Sequence, residues 1–313
     1  MRIGLLFNGQ GSQKAGMGQN LYDNLPAFKS KIDQASQILG YDLVDVFNDE
    51  DKISQTKWAQ PAIVAFDSAL AACLVEAGVR PVVAGLGLSL GEYPALVANG
   101  MMTFEQAIAL VKDRGEYMQA VGDANPGKMV AVLNDNQEMI VETVQKLQAD
   151  GLAVYPANFN TFAQLVIGGK KADVDQAVEA LMAAGVKKMI PLPVSGAFHT
   201  PLLQEAADKM AERFANEKFA EAKYPVYSNT TKKVFVEAGL KDTLTKQIVS
   251  PTYFAQCLDE MVKDNQVDTL LEIGPGVTLS KFARKIVSKE VNRYSVTDWT
   301  TFEKVVSAVK GEE

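Results

Sequence analysis

Histidine is almost missing from this chain: its 313 residues include one, together with only two cysteines. The two thiols, Cys73 and Cys257, lie far apart and lack the partner spacing of a zinc knuckle or a disulfide framework, so both read as inert core thiols of a reducing compartment. Positive charge is also short. Lys plus Arg number 31 against 38 Asp plus Glu, the net charge is -7 and the pI is near 5.0, which excludes a general basic surface for nucleic acid or polyphosphate. The apolar start of the chain runs into a Gly-rich loop and not into a signal-peptide cleavage site, and reads as a first strand. The longest apolar stretch, 61–78, carries Asp67 and Glu76 and suits a buried helix better than a membrane span. We therefore expect a cytoplasmic protein that binds neither nucleic acid nor membrane.

What is present is ordinary for a soluble enzyme. Hydrophobic residues make up 47% and charged residues 22%, too apolar for a disordered chain, and the length allows one large α/β domain with or without an insert. Strand-like runs at 3–7, 82–87 and 268–273 are each followed by Gly and a helical pattern, as strand-loop-helix units require. Between about 126 and 193 the rhythm changes to strand (128–133), helix (136–149), strand (153–157), strand (164–167), helix (172–184) and strand (186–190). That βαββαβ order is ferredoxin-like. The expected architecture is thus an α/β core from 1–125 and 194–313, with a mostly parallel sheet, carrying 126–193 as an inserted ferredoxin-like subdomain. A ligand site belongs in the cleft between them.

Three signals carry chemistry. Gly87-Leu88-Ser89-Leu90-Gly91 is a G-x-S-x-G pentapeptide between a buried strand and a helix, the setting of a hydrolase-like nucleophile elbow that exposes a Ser oxygen; a Gly-rich helix start capped by Ser is the plain alternative. A serine hydroxyl needs a base, and His199 is the one imidazole the chain offers. Arg114 falls on the apolar face of a helix spanning 104–121 with Ala107, Leu110, Val111, Met118 and Val121, and an arginine there calls for an anion, from the protein or from a substrate. A structural ion pair or a snorkelling side chain remains the alternative. The loop Asn8-Gly9-Gln10-Gly11-Ser12-Gln13 after the first strand has neither Rossmann nor Walker spacing. Its two glycines allow Gln10 to point into a site at the strand's C-terminal end.

Six motifs in order along the chain, Gly9-Gln10-Gly11-Ser12-Gln13, Gln60-Pro61-Ala62, Gly87-Leu88-Ser89-Leu90-Gly91-Glu92, Arg114-Gly115 with Met118-Gln119, Gly196-Ala197-Phe198-His199 and Glu272-Ile273-Gly274-Pro275-Gly276, resemble the malonyl-CoA:acyl carrier protein transacylases of dissociated fatty acid synthesis. The resemblance implies ping-pong transfer of malonyl from malonyl-CoA to holo acyl carrier protein through an ester on Ser89, with His199 as general base and then acid. It further implies an oxyanion hole from the Gln10 and Leu90 amides, Arg114 on the malonyl carboxylate with Met118 nearby, a Gln247 main-chain carbonyl orienting His199, and Phe198 excluding an α-methyl branch. No metal or resident cofactor is implied, since CoA and phosphopantetheine arrive with the substrates.

In the insert, Asn160-Thr161-Phe162-Ala163-Gln164 replaces a more usual Pro-Gly before Gln, and two positions by the chemistry also depart from the family pattern: Leu88 stands where a His usually precedes the nucleophile, and Asn8 where Pro usually follows Phe7. Neither supplies the attacking group or the base. A thioesterase built on Ser89 and His199 is the nearest rival, and hydrolases usually orient the His with an acid. A non-catalytic carrier-binding module is a rival of another class. For docking an acidic carrier protein, Lys281, Arg284 and Lys285 on one helix are candidates, with a solvated charged face as the alternative.

Overall fold

A computed structural model describes residues 1–194 and 196–310; Ser195 of the loop 194–201, and 311–313 at the end of the expected core segment, lie outside the described residues. The strands are β1 (Ile3–Phe7), β2 (Val82–Gly87), β3 (Gly127–Leu133), β4 (Val154–Thr161), β5 (Gln164–Lys170), β6 (Lys188–Pro191), β7 (Val226–Tyr227), β8 (Thr269–Ile273) and β9 (Asn292–Val296). Among the described residues they form two sheets. The first, in the order β7-β2-β1-β8-β9, is parallel at every pairing. Its central strand is buried at all five positions, as a parallel strand covered on both faces must be. The second sheet, in the order β4-β5-β3-β6, is antiparallel throughout, with its own apolar core of Val130, Val132, Leu165 and Ile167 under the helices Gln137–Ala149 and Lys171–Ala183.

Where the elements differ from the sequence reading, packing explains it. β5 continues past 167 through Gly168 and Gly169, which stay paired with β3 and β4, and a Cβ at Gly169 would sit 2.1 Å from the Ala153 carbonyl oxygen. Glycine there permits a close backbone approach. β4 runs on to Thr161 because it stays paired with β5 as far as Thr161 opposite Gln164, and on the way it gains a second partner outside its sheet. Phe159 donates its N–H to the Thr252 carbonyl (2.7 Å), Thr252 donates back to Ala157 (2.9 Å), and the Phe159 and Tyr253 rings stack at 4.8 Å. The antiparallel sheet is thereby tied through main chain to the segment leading into the helix Phe254–Asp264. The last antiparallel strand begins at Lys188, not 186, and the sequence reading contains neither β7 nor β9. Both are edge strands, one only two residues long and the other mostly half-buried.

The helix Thr56–Glu76 is long and apolar enough to cross a membrane, with a mean hydropathy of 1.5 over its most apolar stretch, but 83% of that stretch is buried inside the fold. It crosses the helix Phe104–Ala124 at Gly115, where a Cβ would lie 3.1 Å from the Lys57 Cα and 3.2 Å from the Thr56 carbonyl oxygen. That close crossing presses Arg114 against Gln60. Cys73 and Cys257 are free and buried, and burial pushes the Cys73 thiol up to about 12, as inert core thiols require.

Candidate active site

The C-terminal ends of β1 and β2 set the site. β2 turns into a 3-10 segment, Ser89–Gly91, followed by the helix Glu92–Ala98. Ser89 adopts φ 55°, a left-handed conformation for a residue with a side chain. The turn tolerates only glycine at its flanks: a Cβ at Gly87 would fall 1.9 Å from the Gly91 carbonyl carbon, and one at Gly91 would fall 2.2 Å from the Phe7 carbonyl oxygen. Tight packing of the elbow under β1 therefore holds Ser89 outward and half-buried.

His199 reaches the serine from the loop preceding the helix Gln204–Phe214. It is buried and also left-handed, at φ 61°. Its Nε2 lies 2.7 Å from the Ser89 Oγ, and its Nδ1 lies 2.8 Å from the Gln247 carbonyl oxygen. A carbonyl can only accept, so the proton sits on Nδ1 and Nε2 is free to accept from the serine hydroxyl. Burial lowers the imidazole from 6.5 to about 4, helped by the nearby Arg114 charge and opposed by the hydrogen bond to Gln247. The ring is therefore neutral near pH 7.

Arg114 is fully buried on the long helix, yet its hydrogen-bond partners are neutral amides: Nη1 donates to the Gln60 Oε1 at 2.7 Å and Nη2 to the Gln247 Oε1 at 3.0 Å. Its Nε has no partner among the described residues, and its guanidinium lies 5.7 Å from the Tyr93 ring centroid. Burial pulls its pKa down, but a guanidinium starts so high that it keeps its charge. Gln60 ties this cation to two further residues singled out in the sequence, since its Nε2 lies 3.4 Å from the Gln10 Oε1 and 3.4 Å from the Met118 Sδ. Gln10 is further held by donation to the Thr56 Oγ1 at 3.0 Å. The Gln10 and Leu90 amide N–H groups carry no hydrogen bond among the described residues, which leaves both free for a ligand oxygen. Phe198, half-buried, lies against Gly196, where a Cβ would stand 2.9 Å from its ring.

Three residues in this network have no role in the sequence reading. Asn229 receives the Ser89 N–H on its Oδ1 (3.3 Å) and donates from Nδ2 to the Gly87 carbonyl (2.7 Å), bracketing the elbow. Glu92, wholly buried, accepts the Asn229 N–H at 2.5 Å and also accepts from the Gln247 side-chain amide. Burial pushes its carboxyl up to about 8 against the pull of those donors. Gln60 completes the set. Gln60 and Glu92 lie inside the quoted motifs, whereas nothing local marks Asn229, 140 residues from the serine it holds.

The departures also find places. Leu88 packs against the cluster behind the elbow that includes Leu6, Leu86 and Leu258, so the position is an apolar filler. Asn8, buried, donates to the Ile273 carbonyl (3.2 Å) and the Gly276 carbonyl (3.3 Å), fastening the first loop to the Gly274-Pro275-Gly276 turn. Glu272 of β8 caps the start of the helix Thr278–Ile286 by accepting the Leu279 and Ser280 N–H groups, both at 2.8 Å. Lys281, Arg284 and Lys285 are exposed on that helix. No group of three or more His, Cys, Asp or Glu side chains able to hold a metal occurs among the described residues.

Comparison with known proteins adds independent findings. The acyl transferase domain family matches residues 5–300. The malonyl CoA-acyl carrier protein transacylase of Bacillus subtilis is 36% identical over 314 residues, covering 99% of this chain and 98% of that one. Its counterpart in Staphylococcus aureus is 34% identical over 91% of this chain and 92% of its own length. Among solved structures, MCAT from Streptococcus pneumoniae superimposes with a TM-score of 0.93 at 44% identity, covering 98% of this chain and all of that one, 100%. A malonyl-transacylase solved in complex with its type II PKS acyl-carrier protein gives a TM-score of 0.93 at 33% identity, over 99% of this chain and 100% of the other.

Proposed function

Because the chain belongs to the acyl transferase family, we propose that it transfers malonyl from malonyl-CoA to the phosphopantetheine thiol of holo acyl carrier protein, for fatty acid synthesis. The observation that carries this reading is the buried Arg114 guanidinium, whose hydrogen-bond partners among the described residues are neutral amides, in one network with the Ser89–His199 pair. A guanidinium whose direct hydrogen-bond partners are all neutral, set beside a nucleophile, suits an acyl group that ends in a carboxylate.

The steps follow from the atoms. The Ser89 Oγ attacks the thioester carbonyl carbon while its proton passes to the His199 Nε2, and the carbonyl oxygen, now an anion, is received by the Gln10 and Leu90 N–H groups. The carbon–sulfur bond breaks and the departing CoA thiolate takes the proton from His199, leaving a malonyl ester on Ser89. The carrier's thiol then attacks that ester with His199 again as base, and the serine oxygen leaves with the proton. The Gln247 carbonyl fixes the productive tautomer throughout. Arg114 holds the malonyl carboxylate, the Met118 side chain lines its surroundings, and Phe198 leaves no space for an α-methyl branch.

The thioesterase alternative expects an acid behind the histidine, and here a main-chain carbonyl occupies that position. We also propose that 126–193 is an insert carried by a core of 1–125 and 194–313, a division supported by the separate antiparallel sheet. The cytoplasm is the proposed compartment, supported by the two free, buried thiols.

Intact-protein mass spectrometry after mixing with malonyl-CoA, followed by a chase with holo acyl carrier protein, tests the function. The expected result is a malonyl adduct on the peptide containing Ser89 that moves to the carrier and is absent in Ser89→Ala. Free malonate without transfer overturns the transferase reading.

A further inference from the structure

We infer that Glu92 is a positioning residue for acyl selectivity: it sets the direction of a buried hydrogen-bond relay that points the Gln247 side-chain oxygen at Arg114. The inference rests on the reading of Arg114 as the malonyl clamp.

The argument is one of donors and acceptors. The Gln247 side-chain nitrogen donates to both the Glu92 carboxylate and the Ser89 carbonyl (2.9 Å), while its Oε1 accepts from the Arg114 Nη2 at 3.0 Å. Its main-chain oxygen meanwhile orients His199. An amide turned the other way would aim N–H groups at the guanidinium, which has only donors, and an oxygen at two acceptors. Although burial raises its carboxyl to about 8, each Glu92 oxygen faces a donor, one of them the immovable Asn229 N–H, so an acid proton would find no acceptor; in this relay Glu92 acts as a carboxylate and excludes that state. All four residues, Glu92, Arg114, Asn229 and Gln247, are buried at 0% or 1% exposure, so water does not stand in for a lost partner.

A glutamine at 92 converts one acceptor into a donor. Its oxygen stays on the Asn229 N–H, leaving the elbow bracketed, and its NH2 faces the Gln247 nitrogen. Gln247 must then turn or lose the contact, and either result disturbs the carboxylate clamp more than the serine and its base. Glu92→Gln is therefore expected to act chiefly on malonyl KM.

The test compares Glu92→Gln and Arg114→Ala, with malonyl-CoA and acetyl-CoA as acyl donors and single-turnover loading of the serine as the readout. The expected result is a fall of about tenfold in the malonyl-to-acetyl ratio of kcat/KM for Glu92→Gln, carried by malonyl KM, with no further loss when Arg114→Ala is added. Equal losses on both substrates, or a loss confined to kcat, overturns the relay. If Arg114→Ala itself fails to discriminate, the clamp reading falls and this inference with it, a result distinguishable because the single Arg114 variant alone reveals it. Should Glu92→Gln fail to fold, Gln247→Leu asks the same question from the other end, since it deletes the side-chain amide but keeps the main-chain carbonyl. It must also lower the malonyl-to-acetyl ratio, and an unchanged ratio overturns the proposal.

Discussion

Arg114 and Gln60 meet at 2.7 Å, a buried guanidinium against a neutral amide. Desolvating a cation costs several kcal/mol, and a protein carboxylate would be the usual compensation. Gln60 offers an acceptor without cancelling the charge. The Glu92 carboxylate reaches the guanidinium only through the Gln247 amide, so Arg114 has no carboxylate in direct contact and keeps an attraction for an anion.

Replacing Arg114 by Ala is expected to lower kcat/KM for malonyl-CoA by roughly 10- to 100-fold, the worth of a charge-assisted hydrogen bond, and to leave acetyl-CoA much less affected. Steady-state kinetics with the two thioesters check this. Equal losses would mean that Arg114 is a structural residue.

The His199 imidazole, lowered from 6.5 to about 4 by burial, makes a prediction in pH. For the free enzyme, kcat/KM should hold its plateau down to about pH 5 and fall as the ring protonates near 4. Stability follows the same group. Between pH 6.5 and 4 the unfolded chain takes up the proton and the folded one does not, so about 3 kcal/mol of stability present above 6.5 is lost as pH falls through that window. Urea titrations from pH 7 to 4 should show a shallower decline in His199→Gln than in the parent.

Asp67 gives a prediction of opposite sign. It is fully buried, and burial reinforced by the Glu272 charge raises it well above 3.8 against the pull of the Asn8 main-chain N–H. A raised folded pKa means that stability present below 3.8 is lost as pH rises toward the folded value. Asp67→Asn removes that loss. Relative to the parent, the variant should gain stability as pH rises from 4 to 8, measured by chemical denaturation at both values.

At the elbow, Gly87→Ala places a methyl group 1.9 Å from the Gly91 backbone, where no side chain can yield. We expect a cost of about 3 kcal/mol or more. Thermal unfolding of this variant should begin far below the parent's, whereas Gly40→Ala, open around its Cβ but left-handed at φ 79°, should lose only about 1 kcal/mol.

The elements nearest the chemistry are legible in the sequence because their signals are local. A strand ending in Gly, a Ser, and a helix beginning with Glu92 identify the elbow, and a single His leaves no choice of imidazole. Gln60, Asn229 and the side chain of Gln247 are not legible in this way. Amides are common and their roles depend on which donors and acceptors the fold gathers, here from positions 54, 140 and 133 residues apart. The same distinction governs the sheets. β1, β2 and β8 are buried and apolar and announce themselves, whereas β7 and β9 are edge strands that only their neighbours define.

The paired hydrogen bonds between β4 and Thr252 come five positions after Gln247, whose carbonyl steers His199. The gauge between the antiparallel sheet and the base is thus written in peptide groups, which every residue type except proline supplies alike. A substitution of a side chain along the cleft therefore leaves that main-chain spacing as it is. Acceptance of a different acyl chain is then a matter of refitting the lining, while the frame that brings base and nucleophile together stays the same.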